Sequence, residues 1–558
     1  MQAISRCMKM GRVILALSLI LTAMPLLAAE KYDPMSDLSL GELLNLEKFM
    51  VTATKHLMPA RKAPAIAAVI TADEIRNMGA KDINDILRNI PGIGISRPGT
   101  LPFDARLEVR GIKTPFSEKV LFLVDGHRTN NAYTGSWLYP LGNLMVENIK
   151  RVEIIRGPGS ALYGANAFIA VVNVITKSAE DIDGQQVSVG ISSFNTQHYT
   201  ALFSHTSDDF QMSGHLDYFD TDGAASLIEE DALTGKFGSL APSNTLEFVE
   251  KLDFGFKVKY QNFSFNGRGI INEYGPYIGT GRALNDETVL KFNQWLANLS
   301  YAKNLTNKLD IKVNFYTDLY DQDTYIEIFP EGFTGKNDKG LIGNPILKNR
   351  TLGSEVTTNY VLGNHLLTTG IGYEEVKEYD IGGVNNLANP FAEPTPMTEK
   401  FVKAVTRKVG ALYLQDMWTI TQNDSLTLGI RHDDYGDFGG TTNPRIGYVH
   451  EFKNNSTLKF LYGSAFRAPT FNELYIRNNP VVVGNAALKP EKINTYEASL
   501  EYPFLRHYTL RLSYFHNDIE DIIRVGTKPA IDKPAPWINV DGKTQVDGAE
   551  AELLFKFS

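Results

Sequence analysis

The sequence predicts a mainly β protein: a transmembrane antiparallel β-barrel that follows a small α+β domain. Three observations predict this class. An apolar run behind basic residues directs the chain out of the cytoplasm. Residues 65–177 mix short helices with short strands, whereas nearly every regular segment after about residue 185 alternates with period two.

The composition excludes several classes of protein. Of the 558 residues, 43% are hydrophobic and 21% are charged, which excludes a disordered tract, a collagen-like fibre and a small disulfide scaffold. The chain has 55 Lys and Arg against 64 Asp and Glu, a net charge of −9. A chain of this charge is not expected to bind nucleic acid.

The N-terminus is typical of a secretory signal peptide, which we place at residues 1–29. Basic residues precede an apolar run at residues 13–27, which ends in two alanines before Glu30. This run is shorter than the roughly 20 residues of a membrane-spanning helix, although an uncleaved anchor is the alternative. The single cysteine, Cys7, would leave with the peptide, so we expect no disulfide, thiolate metal site or cysteine nucleophile.

Two short helices are predicted early in the mature chain. Thr71 and Glu74 have the spacing of a capping box, and Gly79 is a helix stop. Asp82 can cap a second helix, whose apolar residues recur at helical spacing until Pro91. Strands are predicted at residues 120–124 and 171–175, so this region is a compact α+β unit.

In the later strands, odd-numbered and even-numbered positions carry different kinds of residue, which indicates two distinct faces. In residues 251–260 the even positions are apolar or aromatic, and the odd positions are charged except for one glycine. Residues 494–502 repeat this pattern with the single exception of Asn494. Alternation alone fits a secreted sandwich as well as a membrane barrel.

Length and loop pattern favour the barrel. Residues 308–323 and 403–421 far exceed the usual strand of about 5–6 residues. About 16 such segments follow one another, joined alternately by short turns and by long polar loops such as 221–250 and 330–347. Only a closed barrel can satisfy its backbone in lipid, so we predict a transmembrane barrel.

Nine short motifs follow one another along the chain. They are EKFMVTAT at 47–54, RGI at 110–112, LVDG at 123–126, RVEIIRGP at 151–158, ALYG at 161–164, VNVIT at 172–176, DDYGDFG at 433–439, FRAPTFNELY at 466–475 and LKPE at 488–491. In this order they resemble the TonB-dependent outer-membrane receptors of the siderophore and cobalamin type. The first looks like the energy-coupling TonB box and the second like a signature of the family's plug domain; the others recur in plug and barrel.

The resemblance implies a plug domain lodged in the lumen of a 22-stranded barrel. We therefore expect a periplasmic segment at 30–58, a plug at 59–178 and the barrel at 179–558. A barrel closed at about 16 strands leaves an aqueous channel rather than a plugged lumen, so we expect the chain to lack a C-terminal part. An authentic end at Ser558 is the alternative, because Phe557 resembles the family's terminal aromatic residue.

The resemblance assigns the TonB box to a short extended stretch that is apolar and β-branched. Such a peptide can add as a strand to the edge of a partner's sheet, and the polar stretch at 31–47 would keep it mobile. An ordinary edge strand is the alternative reading. The predicted box residues are Phe49, Met50, Val51, Thr52 and Ala53.

Substrate contacts are expected in the loop that follows Gly126. Cationic, amide and aromatic side chains lie close together there, which suits an anionic or aromatic chelate. For the last two aromatic residues, packing of the plug against the wall is an equal alternative. The candidates are His127, Arg128, Asn130, Asn131, Tyr133, Trp137 and Tyr139.

Ion pairs between plug and barrel are a further implication of the resemblance. Arg110 and Arg156 occupy positions where the family pairs plug arginines with glutamates of the wall. Glu497 and Glu501 lie on the predicted lumen face and are the expected partners. A buried charge without a partner costs several kcal/mol, so pairing is expected, although solvation in a wet lumen is the alternative.

The expected function is import of a scarce metal chelate: a ferric siderophore first, with cobalamin or haem next. No catalytic residue, resident metal or cofactor is expected, since no nucleophile elbow or phosphate-binding loop is present. The expected partners are TonB with its inner-membrane complex, the chelate and outer-membrane lipid, and the expected state is a monomer. A passive porin or adhesin barrel in the same outer membrane is the alternative.

Overall fold

The computed structural model describes residues 48–96, 106–182, 184–479, 481–504, 508–530 and 533–555. The predicted signal peptide with Cys7, and the polar stretch before the predicted box, lie outside these residues. Over the described part of the chain, no helix is both long enough and apolar enough to cross a membrane.

The two predicted helices are confirmed. α1 (Ala72–Met78) begins at the capping box, where the Glu74 amide donates to the Thr71 hydroxyl and the Thr71 amide donates to the Glu74 carboxylate. Gly79 ends α1 in the left-handed conformation, with φ of 63°. α2 (Ile83–Arg88) begins at Asp82, whose carboxylate accepts from the backbone amide of Asp85 in the first turn.

Replacing Thr71 with alanine is expected to destabilise α1 by about 1 kcal/mol, because the first turn loses the side-chain acceptor of one backbone amide. Hydrogen exchange of the Glu74 amide, followed by mass spectrometry, should then become faster. Arg76→Ala is the control, since Arg76 forms only an exposed ion pair on the same helix. Equal acceleration in both variants would contradict the capping role.

The region predicted as the plug (residues 59–178) is built on a five-stranded sheet in the order β3-β9-β10-β7-β8, in which only β10 and β7 are parallel. Phe122 and its even-numbered neighbours pack against α2, whereas Leu121 and Leu123 face the segment before the plug. The sheet strands are β3 (Ile66–Thr71), β7 (Val120–Val124), β8 (His127–Arg128), β9 (Ile149–Arg156) and β10 (Ala170–Thr176).

Shorter elements complete this part of the chain. β1 pairs with β2, and β4, β5 and β6 form a small antiparallel sheet. Their bounds are β1 (Phe49–Met50), β2 (Met58–Pro59), β4 (Ile93–Ser96), β5 (Arg106–Val109) and β6 (Ile112–Lys113); the short helices are α3 (Leu138–Leu141) and α4 (Ser160–Tyr163).

After the plug, the described chain forms one antiparallel sheet of 17 strands, together with a few short elements in the connections between them. One of the 17 is the two-residue β22, so 16 long strands remain, as the sequence predicts. They are β11 (Gln185–Ser192), β12 (Thr196–Thr206), β13 (Phe210–Thr221), β16 (Val249–Tyr260), β17 (Phe263–Tyr274), β18 (Val289–Thr306), β19 (Leu309–Phe329), β20 (Leu341–Leu362), β21 (His365–Asn385), β23 (Val405–Thr419), β24 (Asp424–Tyr435), β25 (Gly439–Glu451), β26 (Thr457–Arg467), β28 (Glu491–Phe504), β29 (Tyr508–Glu520) and β32 (Lys543–Phe555).

The two faces of this sheet, which we call the wall, confirm the parity prediction. Phe256 and Ile371 point outward and are exposed, as a lipid-facing belt requires. Lys251 and Asp253 lie on the opposite face and are buried. The charged row of each strand therefore faces inward, toward the plug.

The connections on one side are tight turns, and those on the other carry short elements. One expectation was wrong: the loop placed at 330–347 spans only residues 330–340, because β19 and β20 continue their pairing to Phe329 and Leu341. The elements in the longer connections are β14 (Leu227–Ile228), β15 (Ser243–Asn244), β22 (Thr395–Pro396), α5 (Phe471–Tyr475), β27 (Val482–Val483), β30 (Ile523–Val525) and β31 (Ala535–Asn539).

The plug lies within the wall, because side chains from strands all along the sheet bond to it or to the segment before it. The strands involved include β16, β18, β24, β25, β28 and β32. Their bonding residues are Lys251, Gln294, Arg431, Arg445, Glu497 and Glu552.

Candidate functional site

Residues 51–56, which we call the strap, are held by the plug and the wall together. The backbone amides of Val51 and Thr52 both donate to one oxygen of Glu153 at 2.9 Å. Tyr163 donates to the Thr52 carbonyl at 2.9 Å, and Arg445 of the wall donates to the next carbonyl at 3.0 Å. The polar backbone of the predicted box is therefore bonded inside the lumen.

This geometry corrects the expected conformation of the box. Of the predicted strand, only Phe49–Met50 is extended, and the chain turns from Val51 onward. The turn arises because two successive amides converge on the single carboxylate of Glu153. Met50 and Ala53 are fully buried against the plug sheet, so the docked strap offers no free edge to a partner. The coupling role of these residues stays a prediction.

Lys55 ties the strap to the wall. Its ammonium lies 2.5 Å from a carboxylate oxygen of Glu355 on β20 and 2.7 Å from the hydroxyl of Tyr413 on β23. Burial opposes the charge, but Glu355 and Tyr413 outweigh it and raise the pKa of Lys55. The next residue, His56, bonds to Thr368 at 2.9 Å, and burial lowers the pKa of its imidazole.

A buried ionic cluster joins the plug to β28 and β32. Arg110 bonds to Glu497 at 2.5 Å and to Glu550 at 3.1 Å. Arg156 bonds to Glu550 at 3.1 Å and to Glu552 at 2.7 Å. The five side chains are at most 9% exposed, so the predicted pairing of plug arginines with wall glutamates holds for Arg110 and Glu497.

The expected pairing of Glu501 was wrong. Its carboxylate binds Arg511 of the neighbouring strand at 2.8 Å, within the wall. The partners that sequence reasoning missed are Glu550 and Glu552, although the alternation of the last strand places both on its polar face. The strand register brings these two, rather than Glu501, to the plug arginines.

A second buried ionic contact, formed by one plug lysine and two residues of the wall, anchors the plug nearby. Lys119 bonds to Glu491 of β28 at 2.7 Å, and Arg467 of β26 bonds to the same carboxylate at 3.0 Å. Burial raises the pKa of the adjacent Glu118, whose carboxylate accepts from the amide of Phe116. The plug is thus fixed by charged contacts along β26 to β32.

His127 and Arg128 lie at the edge of the plug that faces β19. His127 bonds to Asp318 at 2.7 Å, with the ring of Tyr316 against it. Burial opposes protonation, but the carboxylate of Asp318 raises the pKa of His127. Arg128 donates to the carbonyl of Tyr163 at 2.6 Å. Both residues border open space, so ligand contact remains a prediction for them.

Asn130 and Asn131 hold the predicted substrate loop together. The Asn130 side chain accepts from the amide of Phe122 and donates to the carbonyl of Gly135. Asn131 donates to the carbonyl of Ser136 at 2.7 Å. These amides shape the loop, because they bond to its backbone and to the backbone of β7.

The three aromatic candidates pack inside the protein. Trp137 is fully buried and stacks on Phe122 with 4.0 Å between ring centroids, which corrects its assignment as a ligand contact. Tyr139 stacks on Phe292 of the wall at 4.6 Å, so the packing alternative describes it. Tyr133 is buried in an apolar cluster below the outer loops.

A cavity of about 690 Å³ separates the plug from the wall; we call it the gap. Plug strands β7, β8 and β10 and the strap form one side, and wall strands β18 to β24 form the other. Its lining mixes both signs of charge with amides and phenols, for example Lys55, Arg128, Asp310, Glu355, Asn359 and Tyr413.

Side chains that could bind a metal ion do not form a cluster in the described part of the chain. Within the described ranges, no three His, Cys, Asp or Glu side chains lie where they could hold a metal ion together. The candidate site therefore consists of hydrogen bonds and ion pairs between the plug and the wall.

Solved structures of similar fold support this description. The ferric enterobactin receptor PfeA from Pseudomonas aeruginosa superposes with a TM-score of 0.68 and 20% identity, covering 88% of this chain and 77% of that one. The siderophore receptor PirA from Acinetobacter baumannii gives a TM-score of 0.65 and 19% identity, covering 88% and 78%. At these identities the likeness shows the fold alone.

Relatives identified by their sequences match a similar share of this chain. The vitamin B12 transporter BtuB of Vibrio vulnificus (strain CMCP6) is 26% identical over 503 residues, which are 89% of this chain and 74% of the relative. The iron-regulated outer membrane virulence protein of Vibrio cholerae is 25% identical over 540 residues, which are 91% and 75%.

Two family models match consecutive parts of the sequence. The model described as TonB-dependent Receptor Plug Domain matches residues 59–171. The model described as TonB dependent receptor-like, beta-barrel matches residues 192–558, which is more than half of the chain. The chain therefore belongs to the family of TonB-dependent receptors.

Proposed function

We propose that this receptor binds a metal chelate at the cell surface and imports it into the periplasm with energy transmitted by TonB. Its family places it in the outer membrane of a Gram-negative bacterium and is one of receptors, not of enzymes. A ferric siderophore is the first candidate for the ligand, and cobalamin or haem is the next. One relative is a vitamin B12 transporter, and two similar structures are siderophore receptors.

The observation that carries the proposal is the docked strap. Its first three residues, 51–53, belong to the predicted TonB box, and the strap connects the plug, through Glu153, to the wall, through Lys55 and Glu355. A pull on this segment would act on both partners at once. The same segment borders the gap, where a passage would have to open.

The proposed partner is TonB with its inner-membrane complex. Val51 and Thr52 carry β-branched side chains of the kind that favour strand addition to a partner's sheet. Their amides are occupied by Glu153 in the docked form. Pairing with TonB therefore requires the bonds between the strap and Glu153 to break. We also propose that the receptor is a monomer, with one strap for each plug.

The chemistry of the gap supports a polar or charged ligand. His127 and Arg128 offer cationic groups, and wall carboxylates and amides face them. An anionic chelate would find donors at the first two residues and acceptors for its hydroxyl or amide groups opposite. A passive porin or adhesin, the alternative function, needs neither a strap nor a plug anchored by buried ion pairs.

Uptake by a strain that lacks its own receptors tests the proposal. Cells expressing the chain should grow on one member of a panel of ferric siderophores, haem and cobalamin, and growth should stop on deletion of TonB or on collapse of the proton-motive force. Val51→Pro should also abolish growth, because proline removes the amide needed for strand addition. Val51→Ala keeps the amide and should retain it. Uptake that persists without TonB would indicate the passive alternative.

A further inference from the structure

We propose that the substrate crosses the barrel through the gap, between the plug and wall strands β18 to β24, while the plug stays attached to β26 to β32. The inference rests on the proposed transport function. It assigns the path to one side of the lumen and names the residues that close it.

The first argument is the unequal attachment of the plug. Along β26 to β32, Arg110, Lys119 and Arg156 form ion pairs with wall glutamates, and all of these side chains are nearly fully buried. Separating such pairs would leave several charges without partners in a buried site, which is strongly unfavourable. This side of the plug is therefore the last to move.

On the side of β18 to β24, the gap lies between the plug and the wall. The gap has a volume of about 690 Å³ before any movement, which lies within the range of about 300–1,000 Å³ typical of pockets for small ligands. It extends to Asn262 and Asp310, which lie next to the tight turns of the wall. Barrels of this type turn tightly on the periplasmic side, so the gap reaches toward the periplasm.

The lining suits a hydrated solute. Asn298, Asn314 and Asn359 place amides along the wall, and Lys312 and Glu374 add charges of both signs. A polar chelate passing these groups can exchange water for protein hydrogen bonds, which limits the cost of its desolvation.

Two sets of contacts close the gap. On the strap, Val51 and Lys55 line it directly, and Lys55 bridges to Glu355. At the plug edge, His127 bridges to Asp318. Removing the strap takes away part of the lining itself, so a pull on this segment widens the cavity on this side.

Single cysteines can test the route, because the chain has one native cysteine, Cys7, within the predicted signal peptide. Asn359→Cys places a thiol in the gap, on β20 near a tight turn. Thr509→Cys is the matched control: it is half-buried, lies at the start of β29, and shares the lumen face with Ser513 on the attached side. Each variant is treated in cells with methyl methanethiosulfonate or with a bulky biotin-bearing methanethiosulfonate.

The probes are radiolabelled ferric enterobactin and radiolabelled cyanocobalamin. The bulky adduct at position 359 should abolish uptake that the methyl adduct leaves intact, whereas neither adduct at position 509 should reduce it. Uptake unaffected by the bulky adduct at 359, or equal loss at both positions, would overturn the route. TonB-independent uptake by the untreated variants would instead count against the proposed function.

A second measurement requires no ligand. The rate at which the biotin reagent labels position 359 should fall when an uncoupler collapses the proton-motive force, and the rate at 509 should not change. Equal responses at the two positions would overturn the route even if neither probe is transported.

Discussion

Replacing Arg156 with methionine is expected to loosen the plug in the barrel and to make cells sensitive to large antibiotics that the outer membrane normally excludes. The substitution leaves Glu552 without its plug partner and leaves Glu550 with Arg110 alone. Removing one member of a buried ion pair typically costs about 3–5 kcal/mol, because the remaining charge stays buried. Antibiotic sensitivity and protease cleavage of the plug in isolated outer membranes are the measurements.

Arg511→Met is the matched control. Arg511 bonds to Glu501 and Glu552, both on the wall, so the same chemical change removes contacts that do not reach the plug. It should leave antibiotic exclusion nearly unchanged. Adding Glu550→Gln and Glu552→Gln to Arg156→Met removes the uncompensated charges and should recover part of the loss. If cells with Arg511→Met become as sensitive to large antibiotics as cells with Arg156→Met, the cluster stabilises the wall rather than the attachment of the plug.

Replacing Lys55 with glutamine is expected to release the strap. The variant loses a charge-assisted bond to Glu355, and such bonds contribute about 1.5–3 kcal/mol. Since about 1.4 kcal/mol corresponds to a tenfold change in an equilibrium, the undocked population should rise by about tenfold or more. A spin label on Leu57→Cys, at a position 64% exposed, reports this as increased mobility.

The control for this prediction is Lys48→Gln. Lys48 bonds to Glu74 of the plug and does not contact the wall, so its loss should leave the label's mobility nearly unchanged. Tyr413→Phe removes the hydroxyl that bonds to Lys55, Glu355 and Thr357 but leaves the ion pair between Lys55 and Glu355, so it should have a smaller effect than Lys55→Gln. A label that stays immobile in Lys55→Gln would show that Glu153 and Arg445 hold the strap without the lysine.

Local elements were predictable because local interactions specify them. The capping box of α1 is a reciprocal bond between residues three apart, and it formed as expected. Alternation in β16 separated Lys251 and Asp253 from Phe256 before any pairing was known, because successive side chains of a strand point to opposite faces. The start of β20 was misplaced, because Gly343, Asn344 and Pro345 in it are residues typical of loops and turns.

The site was predictable only in part. Arg110 and Glu497 were identified as partners, but they are 387 positions apart, and nothing local distinguishes Glu497 from Glu501 on the same face of β28. Trp137 carries the same aromatic signal whether it meets a ligand or stacks on Phe122. Composition indicates that a residue can bind, and only packing shows whether it is free to do so.

The sequence by itself determined the two regions and which row of each strand faces the plug, because these depend on residue type and spacing. The tertiary structure decided which glutamates meet Arg156, that the strap turns to bond with Glu153, and that open space lies beside β18 to β24. The reason is physical: the stagger between paired strands and the seating of the plug set distances between residues hundreds of positions apart, and no local pattern records them.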